Sequence, residues 1–127
     1  MRVFDASALL VMLFDEPGAQ KAAAELETRD GVASAVNYAE VISKLMERGL
    51  PEEAALQAWR GLSVEVHPLD AAMALDAARL RATTRSQGLS LGDRCCLALA
   101  RQLGNVPVVT ADRAWRSVKG FRMTFVR

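Results

Sequence analysis

Short apolar runs alternate along this chain with longer segments in which apolar residues recur every three or four positions. A short apolar run between turn residues is typical of a β-strand, whereas the longer period is typical of a helix. The short runs predict strands at residues 3–4, 31–34, 64–66 and 106–110, and residues 123–126 could form a last one.

The longer segments predict helices between these strands. In one of them Val41, Ile42, Leu45 and Met46 recur with helical spacing, and Gly49 ends the segment. Helices are predicted at residues 6–13, 18–28, 36–48, 51–60, 70–85 and 91–103.

This alternation of strands and helices predicts an α/β domain with a mainly parallel sheet covered by helices on both faces. In such sheets, ligands bind at the carboxyl ends of the strands. No linker, repeat or low-complexity segment interrupts the pattern, so we expect one domain over residues 1–127.

The composition is that of a globular protein, with 51% hydrophobic residues. No apolar run reaches the roughly 20 residues that span a bilayer. Asp5 lies where a signal peptide would carry its apolar stretch, so we expect a cytoplasmic protein. Cys95 and Cys96 are adjacent and His67 is the single histidine, which excludes a structural zinc site. Both cysteines are expected to be small core or surface residues.

The net charge of +1 is unevenly spread. Residues 1–58 hold 5 basic and 10 acidic side chains, whereas residues 59–127 hold 11 basic and 5 acidic ones. Ten of those 11 are arginine, whose guanidinium suits contacts with phosphate. The same charges could simply solvate helix faces, so the charge pattern alone does not identify a nucleic-acid-binding protein.

Four acidic residues that are distant in sequence share one predicted edge of the sheet. Asp5 ends the first strand and Asp112 lies two residues past the strand at 106–110, while Glu40 and Asp93 lie in the first turns of helices. Helices that follow parallel strands begin at the edge where those strands end. Each acid alone could be a helix cap, a turn residue or a solvated side chain; together they could meet in one cleft.

Carboxylates that share a site repel one another by several kcal/mol unless they hold protons or bind a cation. An all-oxygen site favours Mg²⁺ or Mn²⁺. Such a cation contacts substrate phosphates and offsets charge on phosphoryl oxygens. Ser7, Asn37 and Thr110 are close in sequence to these acids and could support the site or bind substrate.

Residues 3–9 (VFDASAL), 35–41 (AVNYAEV), 89–100 (LSLGDRCCLALA) and 108–112 (VVTAD) carry these acids. These segments resemble the four acidic motifs of the PIN-domain family, and in particular of VapC-type toxins from bacterial toxin–antitoxin pairs. The order, the spacing and the chain length all agree, and the resemblance covers essentially the whole chain. One such motif would be weak evidence, but four in order are specific.

The resemblance implies a three-layer α/β/α fold with a mainly parallel sheet of four or five strands, and hydrolysis of RNA phosphodiesters that depends on Mg²⁺ or Mn²⁺. Carried over by position, the catalytic and metal-binding quartet would be Asp5, Glu40, Asp93 and Asp112. The supporting or substrate-binding candidates would be Ser7, Asn37, Thr110, Arg94 and Arg113. For the two arginines, a solvent-facing position is the simpler alternative to a phosphate contact.

The resemblance also implies partners, namely an RNA substrate, a second copy of the chain and a cognate antitoxin protein. The helices at residues 19–27, 36–48 and 52–60 would line a groove for the antitoxin. Leu45, Met46, Leu50 and Trp59 are candidates for its apolar surface, or for the core instead.

One departure concerns the segment after the fourth motif. Some family members carry a further acid there, whereas here Trp115 stands three residues after Asp112. This puts a second firmly held metal ion in doubt, and we expect Trp115 to pack in the core. A catalytically silent PIN-like module that binds RNA or protein is the main alternative function. A phosphatase or phosphotransfer domain is less favoured, because position 7 is serine and no lysine follows Thr110 closely.

Overall fold

The computed structural model describes residues 1–28 and 30–127, which form five strands and six α-helices. The strands are β1 (Arg2–Phe4), β2 (Gly31–Ser34), β3 (Glu65–His67), β4 (Val108–Thr110) and β5 (Met123–Phe125). The helices are α1 (Ala6–Leu13), α2 (Ala19–Thr28), α3 (Ala35–Glu47), α4 (Glu52–Leu62), α5 (Ala71–Thr84) and α6 (Leu91–Gln102). Two short 3₁₀ helices complete the list, the first at Arg85–Gln87 and the second at Arg113–Ser117.

The strands form one parallel sheet in the order β3-β2-β1-β4-β5. Val3 of β1 lies opposite Val32 of β2 on one side and Val108 of β4 on the other. The strand order reverses at β1, so the carboxyl ends of β1 and β4 lie side by side, as expected for a ligand site in such a sheet. The predicted α/β fold with a parallel sheet between helical layers is confirmed.

Alternate strand residues feed two hydrophobic cores on opposite faces of the sheet. Val3, Val32 and Val108 pack against α5 and α6, whereas Phe4 and its neighbours on β2 and β4 pack against the other four helices. Both faces are therefore covered, which explains why the strands are apolar throughout rather than alternating in polarity.

Several predicted boundaries shift by one or two residues. Pro51, expected as the first residue of its helix, is instead the residue that precedes α4, with a ψ of 153°. The helix expected to begin at residue 36 begins at Ala35, because the Ser34 side chain accepts a hydrogen bond from the backbone N–H of Asn37 and so caps it. Within the described residues, no helix is both long and apolar enough to cross a bilayer.

The apolar residues suggested for an antitoxin groove divide between core and surface. Leu45 and Trp59 are 2% and 6% exposed and belong to the core under α3 and α4, so their assignment to a free surface is wrong. Met46 is 43% exposed and Leu50 is partly buried. Cys95, Cys96 and Trp115 are fully buried. This confirms the core position expected for Trp115, and of the two positions left open for the cysteines it is the core that they occupy.

Candidate functional site

Asp5 occupies the centre of the predicted edge. It caps α1, and its Oδ1 accepts a hydrogen bond of 2.8 Å from the backbone N–H of Ala8. The side chain is 2% exposed. The Thr110 hydroxyl donates to Oδ2 at 2.7 Å, and the Ser7 hydroxyl lies 2.7 Å from Oδ1 and 2.9 Å from Oδ2. The carboxylate is therefore held in one orientation by β4 as well as by its own helix.

Backbone N–H groups fix the direction in which these two hydroxyls donate. The N–H of Ala111 donates to Ser7 Oγ at 2.9 Å, and the N–H of Asp112 donates to Thr110 Oγ1 at 3.0 Å. Because each hydroxyl accepts from the backbone, its own hydrogen is left for Asp5. The turn after β4 thus orients both hydroxyls toward the buried carboxylate.

Glu40 reaches the same edge from α3. Its Oε1 accepts a hydrogen bond of 2.8 Å from Asn37 Nδ2, and the same amide group lies 3.2 Å from the backbone carbonyl of Gly92. Ser34 Oγ donates to Asn37 Oδ1 at 3.1 Å. A Cβ atom at position 92 would overlap Glu40 Oε1, so glycine leaves room for the carboxylate against α6.

Asp93 lies in the first turn of α6. Ser90 and Asp93 form a reciprocal capping box, in which the Ser90 N–H donates to Asp93 Oδ2 at 2.9 Å and the Asp93 N–H donates to Ser90 Oγ at 3.2 Å. Asp112 is exposed and caps the second 3₁₀ helix through Oδ1, which accepts from the Ala114 N–H at 2.9 Å.

The pKa shifts of the acids indicate that Asp93 lies near the other three. Burial raises the pKa of Asp5 from its ordinary 3.8 to about 7, against hydrogen bonds that lower it, and the charge of Asp93 adds to the rise. Burial also raises the pKa of Glu40, and Asp93 again contributes. The pKa of Asp93 is raised by burial and by the charge of Asp112. Asp93 is thus the common neighbour of the other three carboxylates.

The four acids offer only carboxylate oxygens, which are the ligands that hard divalent cations prefer. Glu40 Oε2, Asp93 Oδ1 and Asp112 Oδ2 accept no hydrogen bond from the described residues. None of the salt bridges in the described part of the chain involves these acids or Asp5. Across residues 1–28 and 30–127, no group of three or more His, Cys, Asp or Glu side chains lies close enough together to hold a metal ion. A divalent cation at this edge would therefore be bound by few of these oxygens and would keep several of its waters, as Mg²⁺ commonly does.

The supporting residues separate into two groups. Ser7, Asn37 and Thr110 all bond directly to site carboxylates. Arg94, in contrast, is 8% exposed and its Nη1 donates to the backbone carbonyl of Ala77 on α5 at 3.0 Å. The solvent-facing alternative is therefore wrong for Arg94, and its contact with α5 argues against a phosphate contact. Arg113 is exposed beside Asp112, which agrees both with a phosphate contact and with a merely solvent-facing position.

Sequence reasoning missed Ser34, Ser90 and Gly92. Ser90 could have been found, because serine three residues before Asp93 at a helix start is the sequence pattern of a capping box. Ser34 has the same spacing from Asn37. Gly92 carries no such signal, because its role depends on the distance between α3 and α6.

Comparisons with known proteins concern the family and the fold of the chain. The sequence matches the family model described as PIN domain over residues 2–120. No curated protein matches the chain.

Solved structures with the same fold include three from bacteria. A toxin–antitoxin complex from Klebsiella pneumoniae has a TM-score of 0.75 at 18% identity, covering 100% of this chain and 98% of that one. DNA-bound VapBC from Salmonella typhimurium has a TM-score of 0.74 at 20% sequence identity, covering 99% of this chain and 98% of that one. VapC20 from Mycobacterium tuberculosis has a TM-score of 0.76 at 16% sequence identity, covering 94% of this chain and 95% of that one. It is described as a toxin that cleaves the sarcin–ricin loop.

At these identities the likeness to solved structures concerns the fold. The match to the family model, by contrast, spans nearly the whole chain and includes all four acids. The chain belongs to the PIN-domain family.

Proposed function

We propose that this protein is an endoribonuclease that depends on Mg²⁺ or Mn²⁺ and serves as the toxin of a toxin–antitoxin pair. The observation that carries the proposal is the convergence of Asp5, Glu40, Asp93 and Asp112 at one sheet edge, without a salt bridge among the described residues that would neutralise them. Membership of the PIN-domain family supports nuclease chemistry at this site.

In this proposal the carboxylates hold the cation and the neighbouring groups hold the carboxylates. Asp5 is fixed by Ser7 and Thr110, and Glu40 is fixed by Asn37. When bound, the cation would supply an activated water and offset charge on the phosphoryl oxygens. Water would add to phosphorus as the bond to the 3′ oxygen breaks, so the products would carry a 5′-phosphate and a 3′-hydroxyl.

The toxin role and the antitoxin partner rest on relatives. The structure from Klebsiella pneumoniae is a toxin–antitoxin complex, and that from Salmonella typhimurium is a DNA-bound VapBC complex. We infer by analogy that a cognate antitoxin binds this chain, that RNA is the substrate and that the chain forms a homodimer. A short gene for a DNA-binding antitoxin directly beside this one would support the assignment.

The first test replaces Asp5 with its neutral isostere. Asp5→Asn keeps the side-chain shape but removes a charge at the centre of the carboxylate cluster, so we expect RNA cleavage to be abolished while the fold persists. Cleavage of single-stranded RNA with Mn²⁺ and the circular dichroism spectrum measure the two effects. EDTA should likewise stop the wild-type enzyme.

Asp15→Asn is the matched control, because Asp15 is an exposed turn residue outside the cluster with a φ of 51° that asparagine tolerates. We expect this variant to cleave RNA like the wild type. Cleavage by Asp5→Asn at the wild-type rate, or undiminished cleavage in EDTA, would contradict the proposal.

A further inference from the structure

A cavity lies beside Ser117, at the end of the second 3₁₀ helix that is opposite to Asp112. It is a cavity of about 630 Å³ between the end of α5, the end of α6 and the loop that leads into β5. This volume is in the range of pockets that hold small ligands. Its polar, charged and aromatic lining residues include Thr83, Arg101, Asn105, Ser117, Lys119 and Phe121.

We propose that this cavity, called here the outer subsite, binds one nucleotide of the single-stranded RNA whose backbone is cut at the carboxylates. The inference rests on the proposed function, because it assigns part of the same substrate to a second place on the surface. Protein recognition of single-stranded RNA typically combines a cation for the phosphate with an aromatic or guanidinium plane for the base.

The outer subsite carries both of these elements. The Arg101 guanidinium stacks over the Phe121 ring, with its central carbon 4.9 Å from the ring centre. Arg101 Nε is paired with Asp76 at 3.3 Å, but the terminal amino groups of Arg101 bond to none of the described residues. Lys119 forms no salt bridge within the described part of the chain. Its ammonium group and the terminal amino groups of Arg101 can therefore contact a phosphate.

Charge distribution favours an anionic ligand over a neutral one. Residues 70–127 carry ten cationic side chains and four acidic ones, namely Asp70, Asp76, Asp93 and Asp112. Arg85, Arg113 and Arg116 belong to the two 3₁₀ helices and are exposed, so these helices present positive charge to the solvent. An RNA backbone that approaches from this side meets attractive charge before it reaches the acids.

The second 3₁₀ helix joins the two sites directly. Asp112 caps its start, and Ser117 at its end lines the outer subsite. The five residues of this helix span about 10 Å, and the eight residue steps from Asp93 to Arg101 along α6 span about 12 Å. An RNA segment of a few nucleotides can therefore reach both sites. Gln87 Nε2 donates to Ser117 Oγ at 3.1 Å, so the first 3₁₀ helix also fixes this end.

Binding can be tested separately from catalysis. Adenosine 5′-monophosphate is titrated into ¹⁵N-labelled full-length protein in EDTA, with adenosine and inorganic phosphate as partial probes. We expect amide shifts at Ser117, Lys119 and Phe121, stronger for the nucleotide than for either part. Lys119→Gln should weaken binding at least about threefold and should reduce the salt dependence of oligonucleotide binding by about 0.7 in logarithmic slope.

Two further variants sharpen the test. Phe121→Leu keeps an apolar residue against the core but removes the ring, so nucleotide binding should fall about fivefold or more. Lys21→Gln makes the same charge change at an exposed position on α2 and should bind like the wild type. In the presence of Mn²⁺, Lys119→Gln should raise KM for long oligonucleotides without changing kcat.

The possible outcomes distinguish the outer subsite from the proposed nuclease function. Absent shifts at the outer subsite, or equal affinity in Lys119→Gln and Lys21→Gln, would overturn the proposal. Equal shifts with inorganic phosphate alone would overturn its nucleotide part and leave a plain anion site. If the nucleotide binds as expected but Mn²⁺-loaded wild type cuts no RNA, the proposed nuclease function fails and the outer subsite stands.

Discussion

At the scale of single residues, Asp5 combines two opposed requirements. Its carboxylate is buried, which disfavours the charge, yet it accepts hydrogen bonds from the Ala8 N–H and from the Ser7 and Thr110 hydroxyls, which favour it. A structural aspartate at a helix start needs only the first of these bonds. The two additional hydroxyl donors hold this carboxylate in one orientation, as the proposed cation site requires.

Thr110→Val tests this interpretation with a change of similar shape. Valine removes one of the two hydroxyl donors to Asp5 and leaves the Asp112 N–H without its acceptor. We expect the free energy of unfolding to fall by about 1–3 kcal/mol, because buried polar groups lose their partners. Mn²⁺ affinity should fall as well, since the Asp5 carboxylate is no longer held from the β4 side. Urea unfolding and a Mn²⁺ titration measure the two effects.

Thr28→Val is the control for that substitution. Thr28 is exposed at the end of α2, and its hydroxyl donates to the Glu25 carbonyl. Its replacement should change the free energy of unfolding by no more than about 0.5 kcal/mol. If Thr110→Val matched Thr28→Val in both stability and Mn²⁺ affinity, the hydroxyl network would have no role in holding Asp5.

At the scale of elements, α6 is the part of the fold on which the site depends most. Residues 95–100 of α6 are all buried, and the helix packs against β1, β2 and β4 as well as α3 and α5. Its first turn carries Asp93 and the glycine against which Glu40 rests. The position of the carboxylates therefore depends on how closely α3 approaches the start of α6.

Gly92→Ala tests that approach. Alanine favours a helix by up to about 1 kcal/mol over glycine, but here its Cβ would overlap the Glu40 carboxylate. The end of a flexible side chain can move aside, so we expect the fold to persist and Glu40 to be displaced. RNA cleavage should therefore fall at least about tenfold, while the melting temperature changes little; a nuclease assay and thermal unfolding measure the two.

Gly61→Ala provides the matched control within α4. A Cβ there meets nothing within 4 Å, so alanine should raise stability by up to about 1 kcal/mol and leave cleavage unchanged. Equal activity of the two alanine variants would show that the contact between α3 and α6 does not matter for catalysis.

Element order could be predicted from sequence because it depends on local patterns. The alternation of apolar runs and helical periods is repeated along the chain, and the parallel topology follows from the helices between strands. The convergence of Asp5 and Asp112 followed from the same topology, because neighbouring parallel strands end at one edge. Boundaries such as the start of α3 depended instead on a side-chain cap.

Features that depend on tertiary packing could not be predicted. Arg94 lies beside Asp93 in sequence, but the contact between α5 and α6 places its guanidinium on the Ala77 carbonyl. Trp59 and Met46 are both apolar residues at helical spacing, yet Trp59 is buried and Met46 is exposed. A helical period identifies an apolar stripe, but it does not tell which part of that stripe a neighbouring helix covers.

At the scale of the whole molecule, buried carboxylates couple the stability of the metal-free fold to pH. In the unfolded chain Asp5 titrates near its ordinary pKa of 3.8, whereas in the folded chain its pKa is about 7. Between these values the folded state binds more protons, so stability falls as pH rises. The raised pKa values of Glu40 and Asp93 act in the same direction.

The lowered pKa of Asp70 acts in the opposite direction, but only at pH values below about 4, where its unfolded form titrates. In EDTA, the free energy of unfolding should therefore fall by about 2–3 kcal/mol between pH 5 and pH 8, measured by urea denaturation at each pH. Saturating Mn²⁺ at pH 8 should restore the lost stability, because the cation offsets the charges that the cluster would otherwise bury.

Asp5→Asn should be more stable than the wild type in EDTA at pH 8 and should lose most of the pH dependence, whereas Asp15→Asn should behave like the wild type. The opposite result, a metal-free wild type that gains stability from pH 5 to pH 8, would mean that burial does not raise the pKa of these carboxylates. The electrostatic argument for a cation at this edge of the sheet would then fail.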